Sequence, residues 1–112
     1  MPTMLDRDRT AKRVYGDPRR TKRLNVSATA SLGELGKAPF RVDLIDISTA
    51  GLRCEVRYPL PVGARVLISV PGSVPLTARV AWRRGARYGC IFDRVLTGTE
   101  VDRIVASFRG QA

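Results

Sequence analysis

Apolar and polar residues alternate with a period of two along most of residues 24–93. That period places one side chain set on each face of an extended strand. Leu24, Val26, Ala28 and Ala30 fall in phase over 24–32, which predicts a half-buried strand. Gly33 to Pro39 reads as a turn by its glycine and proline content. Phe40, Val42 and Leu44 mark a second strand over 40–47, and Asp46 and Ser48 fall at its end, beside a turn that Gly51 closes. Leu52, Cys54 and Val56 mark a third over 51–58, ended by the Pro59 to Gly63 connection. Val66, Ile68 and Val70 point inward from a fourth over 64–70. Leu76, Ala78, Val80 and Trp82 define a fifth, with Thr77, Arg79, Ala81 and Arg83 opposite. Gly85 turns the chain into a sixth, 87–93.

The period then changes. Val101, Ile104, Val105 and Phe108 recur at helical spacing. Thr97 followed by Glu100 fits a capping box, and Gly110 is a plausible stop. Short strands separated by turns, then one helix of about 98–109, predict an all-β fold with a C-terminal helix: a six-stranded antiparallel barrel or a sandwich. The helical stripe is expected to close one open end or side.

Charge adds a direction to this picture. The chain of 112 residues fits one domain with a moderate core, yet its net charge is +10 and its pI about 11.0. Such a field favours anionic partners without choosing among them. Residues 1–23 hold eight Lys or Arg against three Asp and few large apolar side chains. They read as a flexible basic arm when unliganded, the arm proper at 1–16 and the domain at 17–112. The polar start and the lack of long apolar runs imply no leader, no membrane span and a cytoplasmic location. Histidine is absent and only Cys54 and Cys90 supply thiols, so two buried thiols are expected and neither a metal site nor another cofactor.

Two polar clusters carry the candidate chemistry. Arg19-Arg20-Thr21-Lys22-Arg23 is an Arg-x-x-x-Arg pattern at the entry to the first strand. Its guanidinium forks suit phosphate and the O6/N7 edge of guanine. Asp46-Ile47-Ser48-Thr49-Ala50-Gly51 is an Asp-x-Ser-x-x-Gly pattern. Its carboxylate and hydroxyl suit the donor edge of guanine. Taken alone, the first cluster is an ordinary solvated basic stretch. The second alone is an ordinary polar turn, with Asp46 and Ser48 bonding backbone and Gly51 supplying positive φ. Together they describe a site for an anionic guanine nucleotide. Trp82 is a weaker third element: in phase with the core, yet close enough to a strand end to border a pocket mouth and stack on a base, with Arg84 near a phosphate.

The pairing of Arg19-x-x-x-Arg23 with Asp46-x-Ser48-x-x-Gly51, followed by short strands and a terminal helix, resembles the PilZ domain family. Ala81-Trp82-Arg83-Arg84-Gly85 and Tyr88 to Phe92 also look like that family's late strands. The resemblance covers roughly residues 17–109. It implies a six-stranded, split-type antiparallel barrel followed by a helix, and a bacterial receptor for cyclic di-GMP. It places Arg19, Arg20 and Arg23 on a switch segment that wraps the ligand, and Asp46, Ser48 and Gly51 at the guanine. It also implies a binding switch: the ligand, in some members an intercalated dimer with which Arg20 is consistent, orders the arm and presents a surface to a downstream protein. Motility, exopolysaccharide or a related behaviour would be the output.

Other classes fit less well. A nucleic-acid-binding barrel needs aromatics interleaved with basic residues on one strand face, and only seven aromatics occur, Phe40, Phe92 and Phe108 being in phase with the core. A protein-interaction module that does not bind nucleotide conflicts with two intact motifs. Catalysis lacks histidine, an activated thiol and clustered carboxylates; Asp43 and Asp46, three apart on a strand, are expected on opposite faces.

Overall fold

The computed structural model describes residues 23–109. Within them, six strands form in chain order: β1 (Leu24–Glu34), β2 (Phe40–Ile47), β3 (Gly51–Glu55), β4 (Arg65–Ser69), β5 (Leu76–Arg84) and β6 (Arg87–Phe92). They close into an antiparallel barrel with the strand order β1-β2-β3-β6-β5-β4. Closure leaves no unpaired sheet edge, which suits strands this short. A helix, α1 (Gly98–Arg109), follows.

The period-two residues fill the barrel. Val42, Leu44, Leu52, Cys54, Val66, Ile68, Ala78, Val80 and Cys90 are all buried. The two cysteines face inward from neighbouring strands, and the adjacent Cys90 thiol together with burial pushes the Cys54 thiol up. Tyr88 is also inside, and its hydroxyl accepts a hydrogen bond from the Leu60 backbone N–H at 3.1 Å. The predicted helical stripe, Val101, Ile104, Val105 and Phe108, is the buried face of α1. The capping box forms: the Thr97 N–H donates to Glu100 Oε1 at 2.8 Å and the Glu100 N–H to Thr97 Oγ1 at 3.0 Å.

Strand bounds shift modestly from the sequence reading. β1 runs through Glu34, two residues into the expected turn, because Gly33 and Glu34 pair with Leu67 and Val66 of β4. β3 stops at Glu55, short of the expected Tyr58.

Two strands change phase, and this matters more. In β2, Leu44 pairs with the inward Cys54, but Asp46 pairs with Arg53 across a register shift. Ile45 is the extra residue, and beyond it the alternation reverses. Asp43 and Asp46 therefore both lie on the outer face, opposite Glu55 and Arg53, rather than on opposite faces as their spacing alone predicts. In β5, Val80 pairs with the inward Cys90, but Trp82 pairs with Gly89 across a second shift at Ala81. Trp82 is thus outside, 38% exposed, and leaves the core phase that Leu76, Ala78 and Val80 set. Arg83, expected on the outer face, takes the inward register opposite Tyr88, and its guanidinium stands 5.6 Å over that ring.

Candidate functional site

The two phase changes assemble one row of outward positions across five strands. Asn25 of β1 pairs with Asp46 of β2, Asp46 with Arg53 of β3, Arg53 with Gly89 of β6, and Gly89 with Trp82 of β5. Without the extra residues at Ile45 and Ala81, Asp46 and Trp82 would both point into the barrel. Bulges that re-aim side chains in this way are a recurrent feature beside functional sites.

Asp46 lies at the centre of the polar half of the row. Its side chain is buried, only 1% exposed, beneath two guanidiniums. Arg23 Nη1 donates to Oδ1 at 3.0 Å. Arg53 Nε donates to Oδ2 at 2.8 Å, and Arg53 Nη2 reaches the same oxygen. Asp46 raises the Arg53 pKa above its ordinary value, chiefly through these hydrogen bonds and against the opposing effect of desolvation. Two guanidiniums, each more than a third exposed, around one buried carboxylate leave a net positive charge facing solvent. Such a centre can attract an anion and still keep one guanidinium on the carboxylate.

Ser48 and Gly51 build the turn that presents Asp46. The Ser48 hydroxyl is buried; it accepts from the Ala50 N–H at 3.2 Å and the Gly51 N–H at 3.3 Å, and donates to the Gly51 carbonyl at 3.3 Å. One donor and two acceptor positions are the full capacity of a hydroxyl. The turn is tied down further by the Phe92 N–H on the Ala50 carbonyl at 2.9 Å and the Leu96 N–H on the Thr49 carbonyl at 2.8 Å. Gly51 is not among the positive-φ glycines. Its requirement is space: a Cβ there would stand 2.0 Å from the Cys90 carbonyl oxygen. Tight β3–β6 apposition, not turn conformation, therefore demands glycine.

The apolar half of the row is Trp82 on Gly89. A Cβ on Gly89 would stand 2.2–2.7 Å from Nε1, Cε2 and Cζ2 of the indole. The indole thus lies directly on the Gly89 backbone, with its other face outward. Arg84 follows two residues along β5 on the same face, exposed and paired with Arg87 of β6. The structure therefore brings Arg23, Asp46, Ser48, Gly51 and Trp82 onto one side of the barrel, with Arg84 beyond the tryptophan. Arg19, Arg20, the expected arm at 1–16 and the expected stop at Gly110 lie outside the described residues.

Sequence reading missed Arg53 and Gly89. Arg53 had one signal: it stands two residues beyond Gly51, on the outward phase of a strand that begins at the motif's own turn. Gly89 had none, because its role depends on a partner that a bulge turns outward. No group of His, Cys, Asp or Glu among the described residues is arranged to hold a metal ion, and no described helix is long and apolar enough to cross a membrane.

Comparison with known proteins agrees with this architecture. Curated proteins of known function give no significant match. Among solved structures, the chain is similar to the PilZ domain of CeSA from a cellulose-synthesizing bacterium, with a TM-score of 0.58 at 18% identity. That match covers 81% of this chain and 98% of the other, and at such identity it speaks for the fold. The family model described as the PilZ domain matches residues 17–110. With that match spanning both motifs and the whole barrel, the chain belongs to the PilZ domain family.

Proposed function

We propose that this chain is a receptor for cyclic di-GMP and acts by binding rather than by catalysis. The observation that carries the reading is the ion pair between Arg23 and Asp46, which joins the two motifs at one point on the barrel wall. Arg23 closes the Arg-x-x-x-Arg cluster and Asp46 opens the Asp-x-Ser-x-x-Gly cluster, so a cation for phosphate and an acceptor for guanine stand in contact. An outward indole lies on the same row, suited to stacking on a base.

Binding on this reading is an exchange. A carboxylate offers about four acceptor positions, and three at Asp46 are used by Arg23 Nη1 and by Arg53 Nε and Nη2. A guanine edge presents N1 and N2 donors and needs two. One arginine contact must leave Asp46 when the base arrives, and Arg23 is the one free to follow the ligand's phosphate, since it precedes β1 rather than lying within a strand. Arg19 and Arg20 would supply further guanidiniums, and Arg84 a more distant one. Ser48 and Gly51 would serve by holding the turn and letting the ligand approach its backbone. The exchange would reorganise the segment that carries Arg19 and Arg20 against the barrel and so change the surface offered to a downstream protein.

Isothermal titration with cyclic di-GMP tests the reading. Wild-type protein should give saturable binding, and Arg23→Ala and Arg19→Ala should each weaken it by ten-fold or more, about the loss of one charge-assisted hydrogen bond. Saturable binding that is equal in wild type and both variants, or no binding by wild type, overturns it. In the second case, a salt-dependent shift with DNA or RNA would point to the charged barrel as a nucleic-acid binder.

A further inference from the structure

Resting on the cyclic di-GMP reading, we infer that Arg53 is a ligand-contacting residue of the site: its guanidinium takes a phosphate oxygen of the nucleotide whose base stacks on Trp82. Neither sequence motif contains Arg53. Its assignment comes from three features of the barrel. First, Arg53 is aimed from below. Nε and Nη2 are held on one oxygen of the buried Asp46, which fixes the plane of the fork. Nη1 has no hydrogen-bond partner among the described residues, and the side chain is 37% exposed. Second, its neighbour on the far side is Gly89, which contributes no side chain. The next side chain on the row is the Trp82 indole lying over that glycine, so no other side chain of the row stands between guanidinium and indole. A flat cation beside a flat aromatic plate matches a phosphate beside its own base. Third, Arg53 solves a problem that ligand binding creates. Once Arg23 turns from Asp46 to the ligand, a buried carboxylate would lack a cation. Arg53 stays, since it belongs to β3 and not to the segment before β1.

The test compares wild type with Arg53→Ala and Arg53→Lys, each titrated with cyclic di-GMP at low and at high salt. Binding is read by calorimetry and by fluorescence of Trp82, the only tryptophan in the chain. Arg53→Ala should weaken binding at least ten-fold, and its affinity should depend less on salt, because one cation facing the ligand is gone. Arg53→Lys should recover the wild-type salt dependence and part of the affinity, keeping the charge and losing the fork. Wild-type affinity in folded Arg53→Ala overturns the inference alone. So does a loss of affinity with the salt dependence unchanged, which would mean that Arg53 acts only by holding Asp46. If Arg53→Ala does not fold, Arg53→Gln replaces it, judged against Arg53→Lys by the same criteria. No binding by wild type overturns this inference and the receptor reading together.

Discussion

Gly89→Ala separates the site from the scaffold. The new methyl group would occupy space now filled by the indole of Trp82, within 2.2–2.7 Å of three ring atoms. The Trp82 ring is the part able to move, because it is already 38% exposed and sits on a strand surface. A tryptophan presents on the order of 200 Å². Losing the contact of one ring face with the Gly89 backbone uncovers roughly 50 Å², which at about 25 cal/mol per Å² costs ~1.3 kcal/mol. Replacing a strand glycine by alanine returns about 0.5–1 kcal/mol through the unfolded chain. The net change in stability should therefore be under about 1 kcal/mol. Ligand binding should change much more. If a base stacks on this indole, tilting the ring removes an interaction worth ~1–3 kcal/mol, or about 5- to 150-fold in affinity. The assay is direct, because Trp82 is the only tryptophan: its emission should shift to longer wavelength in Gly89→Ala, urea unfolding should show nearly unchanged stability, and titration with cyclic di-GMP should show the loss. An unchanged emission spectrum would refute the packing argument. Shifted emission with wild-type affinity would refute the role of Trp82 as a stacking plate.

Other expected outcomes follow from the same contacts. Gly51→Ala forces β3 and β6 apart at the Cys90 carbonyl and disturbs the Phe92–Ala50 hydrogen bond, so chemical denaturation should report a loss of about 2–4 kcal/mol; a change within about 0.5 kcal/mol would contradict it. Ser48→Ala leaves the Ala50 and Gly51 N–H groups without their buried acceptor and should cost about 1–2 kcal/mol by the same measurement, before any effect on ligand. Glu100 is held down at a pKa of about 2, first by its hydrogen bond from Arg94, then by the Thr97 backbone N–H. A carboxyl depressed on folding stabilises the protein above its unfolded pKa, and that contribution fades as pH falls from about 4.3 towards the folded value. Melting curves of wild type and Glu100→Gln should therefore differ at neutral pH and converge between about pH 4 and pH 2; a constant difference would refute the linkage.

Much of the site was legible in the chain, and the reason is local chemistry. Asp46, Ser48 and Gly51 fall within six residues, and a turn of that length is built from its own backbone and side chains. Arg23 stands just ahead of the first strand and is close in sequence to nothing it touches, yet its type and its distance from Asp46 carried the family pattern. Arg53 was readable only in part. Its outward phase follows from the position of Gly51, but its hold on Asp46 requires that Asp46 also face outward, and the strict alternation of β2 denies that. Trp82 was assigned to the core phase for the same reason, and the extra residue at Ala81 reverses it.

By itself the sequence determined the class of fold, the inward set of each strand up to its bulge, the helical stripe with its capping box and the identity of the polar turn. Each of these depends on a period of two or of 3.6, or on residues within four positions of each other, so local order suffices to specify it. Only the tertiary structure decided which face Asp46 and Trp82 present, why Gly51 and Gly89 must lack side chains, and that Arg53 belongs with them. A bulge is one residue left over when two strands are paired in register, and that count exists only once the partner strand is in place. The row from Asn25 to Trp82 is therefore a property of the closed barrel, assembled from five strands that no local pattern aligns.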